Sequence, residues 1–267
     1  MTSASSDRAR ATVLGVPVDR VSCREAAGRI AAWAQAHSSR VVLAANVHMT
    51  MEAVDDPRFR ALMEGADLIV ADGRPLVWSL RLRGCRDASH VRGQDLVLAV
   101  CDEAARLGLE VGLYGTTDAV LDAASADLRA RCPGLRIVYA VAPPFGPLEA
   151  TEDAAVERAI ADAGTRILLV SLGCPKQERW MAARAGRIQA VMIGAGAAID
   201  MIGGLQPVAP LWAQRLGLEW CFRLASDPRR LWRRYARHNL RFLVFAGREV
   251  AAVRWRSRAA RVWGRRG

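Results

Sequence analysis

Along most of this chain a short apolar run stops at a glycine or a small polar residue and gives way to helical periodicity, and this alternation restricts the fold more than any other feature. Residues 40–45 form such a run ending at Asn46, residues 67–71 one ending at Asp72-Gly73, and residues 109–114 one ending at Gly115-Thr116. Residues 135–141 lead into Pro143-Pro144-Phe145-Gly146, residues 166–172 into Gly173, and residues 189–193 into Gly194-Ala195-Gly196. Helical patterns lie between them: up to about His37 behind the capping-box spacing of Ser22 and Glu25, over 47–64 with a break near Pro57, and over 76–82, 93–107, 118–131, 149–163 and 175–185. Residues 11–18 are a further strand candidate, and the first ten residues read as frayed. The pattern predicts an α/β fold with a mostly parallel, Rossmann-like sheet and helices on both faces.

In an open sheet of this kind ligands bind at the carboxyl ends of the strands, where loops diverge and helix amino termini face a crevice. Asn46, Asp72, Gly115-Thr116, the loop 173–178 and the Gly194 loop all follow expected strands, so they should converge on one rim. Asp72 carries the sharpest signal. It either caps the helix that begins near Pro75 or acts chemically in the crevice, and the gathering of unusual residues on the same rim favours the second.

Ser171 to Trp180 is the next informative stretch. Gly173 permits close backbone approach, Pro175 suits a first helical turn, and Lys176 and Gln177 stand where free N–H groups and the helix dipole favour an anion such as a pyrophosphate. Lys176 is the sole lysine among 38 basic residues, which hints at a need for a compact ammonium there. An ordinary helix start is the alternative. Gly194-Ala195-Gly196 begins like a dinucleotide fingerprint, but Ile199 stands where the third glycine or alanine belongs. Asp200 is either a ligand or a helix-end residue. No D-x-D occurs, so the usual two-carboxylate grip on a metal-bound nucleotide sugar is missing.

At 267 residues and 52% hydrophobic, the chain can bury a full core. Its six cysteines show no C-x-x-C pair, and its four histidines are scattered, so a reducing compartment and no structural zinc are expected. No signal peptide or membrane span is expected either. The net charge of +11 is uneven: residues 206–267 carry 15 Arg against Glu219, Asp227 and Glu249, while residues 1–205 sum to −1. The division expected is an α/β catalytic core over 1–205 and a basic amphipathic helical appendage over 206–267. On a helical wheel Arg230, Arg234, Arg237, Arg241 and Arg248 share an arc, with Leu231, Tyr235, Phe242 and Phe245 largely opposite. Five of eight tryptophans also lie beyond residue 205. A basic face backed by aromatic and aliphatic residues suits an anionic membrane surface better than nucleic acid.

Asn46 after a strand, Ala71-Asp72-Gly73, Val91 to Leu96, Leu113-Tyr114-Gly115, Gly173 to Glu178, Gly196 to Asp200 and Gly217 to Trp220 together resemble the WecG/TagA/CpsF glycosyltransferase family, over about residues 12–235. The resemblance implies transfer of a sugar, with inversion and without a metal or other cofactor, from a UDP-sugar to a polyprenyl-diphosphate-linked sugar. It places the protein peripherally on the cytoplasmic face of the membrane, in synthesis of a cell-surface polysaccharide such as a teichoic acid or an exopolysaccharide. By matching motif, Asp72 is the expected general base, and Asn46, Gly73, Gly115, Lys176, Gln177 and Glu178 the expected donor-binding set. Arg223, Arg230 and Arg233 are the expected contacts of the lipid diphosphate or membrane. Ala44, His90 and Val208 depart from the family pattern, where threonine and arginines are common. N-acetylmannosamine is the first expectation for the donor sugar, with glucose or another hexose open, and a homo-oligomer is compatible with the reading. Two other classes stay open on the residues alone: a nucleotide-binding regulator that docks nucleic acid through its tail, and an NAD-linked oxidoreductase.

Overall fold

The structure is a computed structural model that describes residues 10–144, 146, 150–215 and 217–263, with only the backbone described at 150–153, 211, 215, 230, 234, 254 and 256–263. Of the ten residues expected to be frayed, 1–9 fall outside the described residues, as does Phe145, and Arg10 opens the first strand. In chain order the elements are β1 (Arg10–Val13), β2 (Val16–Asp19), α1 (Cys23–Gln35), β3 (Arg40–Ala45), α2 (Val47–Asp55), α3 (Pro57–Glu64), β4 (Leu68–Ala71), α4 (Arg74–Leu82), α5 (Gly93–Leu107), β5 (Glu110–Gly115), α6 (Asp118–Arg131), β6 (Arg136–Val141) and α7 (Ala150–Asp162). They continue with β7 (Ile167–Ser171), α8 (Lys176–Ala183), β8 (Val191–Gly194), α9 (Ala197–Ile202), α10 (Leu211–Arg215), α11 (Glu219–Ser226) and α12 (Pro228–Trp263).

Six strands form one all-parallel sheet in the order β4-β3-β8-β7-β5-β6. Period-two alternation divides strands β3, β4 and β7 between two cores. Val42 of β3, Leu68 and Val70 of β4 and Ile167 and Leu169 of β7 face the layer of α1, α5, α6 and α9. Leu43, Ile69 and Leu168 face the opposite layer, which holds Met51, Phe59, Leu76, Trp180 and Met181. Burial on both faces explains why these strands read as continuous apolar runs.

Local signals set several boundaries as expected. The Ser22 hydroxyl accepts from the Glu25 amide at 3.2 Å and the Glu25 carboxylate accepts from the Ser22 amide at 2.7 Å, so the capping box forms. The break near Pro57 falls at Asp56, whose side chain caps α3. Residues 11–18 differ from expectation. They are a separate antiparallel hairpin, β1 with β2, because Leu14 and Gly15 take left-handed φ of 51° and 84° and turn the chain back.

Beyond residue 205 the chain packs onto the body. Leu231, His238, Phe242 and Ala246 of α12 are buried, and Phe242 and Ala246 join the core cluster of α2, α3 and α4. Arg241 forks onto Asp55 of α2 at 2.7 and 2.6 Å, and Glu249 accepts from the Leu14 amide at 3.2 Å. Phe242 therefore faces inward, whereas the amphipathic reading had placed it on a membrane-facing side. Exposed apolar residues of α12 include Trp232, Leu240, Leu243, Val244 and Trp255. Part of the arginine arc faces α2 because Asp55 supplies the opposite charge there.

Candidate active site

The loops after β3, β4, β5, β7 and β8 meet at one rim and, with α10, α11 and α12 folded over them, enclose a cavity of about 1260 Å³. Asp72 lies at its floor. The amides of Asp72 and Gly73 donate to the Ala45 carbonyl at 2.9 and 3.3 Å, which ties the end of β4 to the end of β3. A Cβ on Gly73 would sit 3.4 Å from Asn46 Cα, an ordinary contact, so the two strand ends lie side by side without requiring glycine there. Asn46 lines the cavity, and its Oδ1 accepts from the Met49 amide at 3.2 Å, capping α2. Asp72 caps nothing in α4; Gly73 is the N-cap and has no side-chain bond to offer.

The Asp72 carboxylate accepts from the Gly93 amide at 2.7 Å through Oδ1. Its backbone carbonyl lies 2.5 Å from His90 Nε2, which must carry a proton to donate there. Burial pushes the Asp72 carboxyl above its usual range, Glu219 pushes the same way, and the Gly93 amide and Arg223 oppose. Burial likewise holds the His90 imidazole below its ordinary value. Above Asp72 the Glu219 carboxylate bridges two cations, Arg223 Nη2 at 2.9 Å and Arg92 Nε at 3.5 Å. This belt joins the start of α5 to α11.

The opposite wall is built by glycines. A Cβ on Gly115 would lie 2.2 Å from the Ser171 carbonyl oxygen, so only glycine lets β5 and β7 end side by side at this φ of +126°. Thr116 then donates its hydroxyl to Asp200 Oδ1 at 2.9 Å, linking the β5 loop to α9. Gln177 is held at both ends: its Oε1 accepts from the Gly196 amide at 3.2 Å and its Nε2 donates to Glu178 Oε1 at 2.7 Å. A side chain on Gly194 would collide with it, the would-be Cβ standing 2.9 Å from Nε2.

The residues expected from sequence thus divide. Asn46, Asp72, Gly73, Gln177 and Arg223 line the cavity. Gly115 and Glu178 stand one layer behind, shaping the wall and orienting Gln177. The Glu178 side chain is fully buried and its carboxyl is pushed above the usual range by that burial. Lys176 is exposed, turns away from the cavity and donates to the Gly146 carbonyl at 3.0 Å. Arg233 is exposed beside Trp232, and the Arg230 side chain lies outside the described residues. The three tail arginines do not share one continuous helix, because the chain leaves helical geometry at Asp227, with φ −142° and ψ 69°, between α11 and α12.

Sequence reasoning did not single out Arg92, Glu219, Thr116 or His90 as one constellation with Asp72. Arg92 and Glu219 lie inside the motif blocks quoted above, which was the available signal. Among the described residues no helix is long and apolar enough to cross a membrane. Exposed Trp78, Leu205, Trp220, Trp232, Leu240 and Leu243 border the cavity instead. Residues 11–257 match the family model described as glycosyl transferase, WecG/TagA/CpsF family, so nearly the whole chain, hairpin and tail included, is accounted for by one family. With a strand-end carboxylate in a rim cavity as its centre, the chain belongs to the WecG/TagA/CpsF glycosyltransferases, which serve cell-surface polysaccharide synthesis.

Proposed function

We propose that the protein is an inverting, metal-independent transferase that moves a hexose or N-acetylhexosamine, N-acetylmannosamine first, from a UDP-sugar to a polyprenyl-diphosphate-linked sugar at the cytoplasmic membrane face. The observation that carries the reading is the placement of Asp72: on the cavity floor, one oxygen held by the Gly93 amide, with a pKa raised by burial. A carboxylate so held has a second oxygen to accept a proton from an acceptor hydroxyl as that oxygen attacks the anomeric carbon. The bond to UDP breaks on the opposite face, which inverts the configuration. The leaving diphosphate would be stabilised by Gln177 and by rim amides. The absence of a D-x-D motif supports a donor site without a metal.

The acceptor diphosphate is assigned to the Arg92–Glu219–Arg223 belt, where an anion could replace the Glu219 carboxylate between the two guanidiniums. The exposed tryptophans and leucines at the cavity border suit the lipid end, and the 15 arginines of the tail suit an anionic leaflet. The test is a panel of UDP-sugars and NAD scored by melting-temperature shift, followed by transfer assays with the stabilising donor and a lipid-linked acceptor. Asp72→Asn should keep the donor-induced shift and lose turnover by about 10²-fold or more. Wild-type-like turnover in that variant, or a shift with NAD alone, would overturn the reading.

A further inference from the structure

At the edge of the cavity, which His48 lines, α12 crosses α2 and brings together three side chains to which the proposed transfer chemistry gives no role. His48 and Glu52 lie four residues apart on α2 and so share a face. His238 reaches them from α12. His48 Nδ1 is 3.8 Å from Glu52 Oε1, His238 Nε2 is 3.7 Å from the same oxygen, and the imidazoles meet edge to face with centroids 4.9 Å apart. One ligand atom from each residue lies within 4.8 Å of the others. His238 is 5% exposed, its Nδ1 has no hydrogen-bond partner, and its Nε2 points at the carboxylate from beyond hydrogen-bonding distance. A buried imidazole so placed is poorly served by the protein alone.

We propose that His48, Glu52 and His238 bind one divalent transition-metal ion of the zinc type, and that the ion staples α12 to α2. Two imidazoles and a carboxylate are the three-ligand set that zinc accepts, with a fourth position left for water. Bonds of about 2.0–2.2 Å at tetrahedral angles set donor atoms about 3.3–3.6 Å apart, so inward turns of these side chains complete the site. The scaffold is already fixed on both sides of it. Asn46 caps α2, while the Arg241–Asp55 fork and buried Phe242 seat α12. The role is structural: the ion holds the tail over the cavity and leaves the Asp72 chemistry without a metal.

The full-length protein is stripped with EDTA, dialysed and titrated with Zn²⁺ or Co²⁺. The site predicts one ion per chain, a higher melting temperature on loading, and for Co²⁺ the visible absorption of a four- or five-coordinate ion lacking a thiolate charge-transfer band. Glu52→Gln and His238→Gln should each weaken binding by about tenfold or more and reduce the thermal gain. Glu52 is partly exposed and glutamine preserves its shape, so that variant reads the site in a folded protein even where His238→Gln does not fold. Failure to bind either ion in excess, binding that Glu52→Gln retains in full, or a thiolate band that moves the ion to a cysteine would each overturn the proposal.

Discussion

Phe242 and Leu243 are neighbours on α12 with opposite surroundings, 2% and 63% exposed, and truncating each to alanine tests whether the basic tail belongs to the core. Phe242 packs in the cluster that contains Met51, Phe59 and Leu80. Truncating a phenylalanine so enclosed costs about 3–5 kcal/mol, of which alanine's better helix propensity returns about half a kcal/mol. A net loss of about 3–4 kcal/mol lowers the melting temperature of a chain this size by roughly 6–16 °C. Leu243→Ala removes mostly exposed surface and should shift stability by no more than about 0.5 kcal/mol. Thermal and urea unfolding of both variants measure the contrast, and flotation with anionic liposomes supplies its mirror image. Leu243→Ala should weaken flotation, whereas Phe242→Ala, assayed well below its melting temperature, should not. Equal stability of the two variants would refute the packing of α12, and the assignment of Phe242 to the core with it.

Asp72→Asn should be more stable than wild type at neutral pH. Its folded pKa is raised, so the native state binds a proton more tightly than the unfolded chain, and the ionised carboxylate costs stability once pH exceeds the ordinary value near 3.8. That cost grows as pH rises to the folded value, and asparagine abolishes it. The same shift places the acid limb of kcat/KM above the usual carboxylate range, which a pH–rate profile reads directly; a limb at or below about 4 would remove Asp72 as the base. Gly115→Ala should fold poorly or not at all, as judged by soluble yield and far-UV dichroism, because its Cβ would stand 2.2 Å from a backbone oxygen with no room to shift. Transfer measured well below the melting temperature should survive EDTA, and activity that vanishes and returns with Mn²⁺ or Mg²⁺ would show that the diphosphate is neutralised by a metal.

Much of the fold was legible because its determinants are local. Apolar runs ending in glycine or a small polar residue, a capping box at Ser22 and a proline at residue 57 act within a few residues of themselves, and a sheet buried on both faces writes its strands as unbroken apolar runs. The rim followed from that periodicity, since strands of one direction carry their ends to one edge. Asp72 and Asn46 were picked out by that route, Gln177 by the helix start after Gly173, and the family motifs added Arg223.

What remained hidden depends on partners distant in sequence. Whether Lys176 faces the cavity or the Gly146 carbonyl is decided by how α8 sits on the sheet, and the local pattern is the same for either. The helical wheel of α12 cannot say which residue turns inward; Asp55 of α2, far earlier in the chain, holds Arg241 against the body beside buried Phe242. Glu219 became a bridge between Arg92 and Arg223 only when α11 folded over the rim. The histidines looked scattered, because His48 and His238 lie far apart along the chain. Packing of α12 across α2 brings their rings to 4.9 Å. Sequence periodicity determines which elements form and which edge they share; the identity of each side chain's neighbour is set by helix packing between segments, which no local pattern encodes.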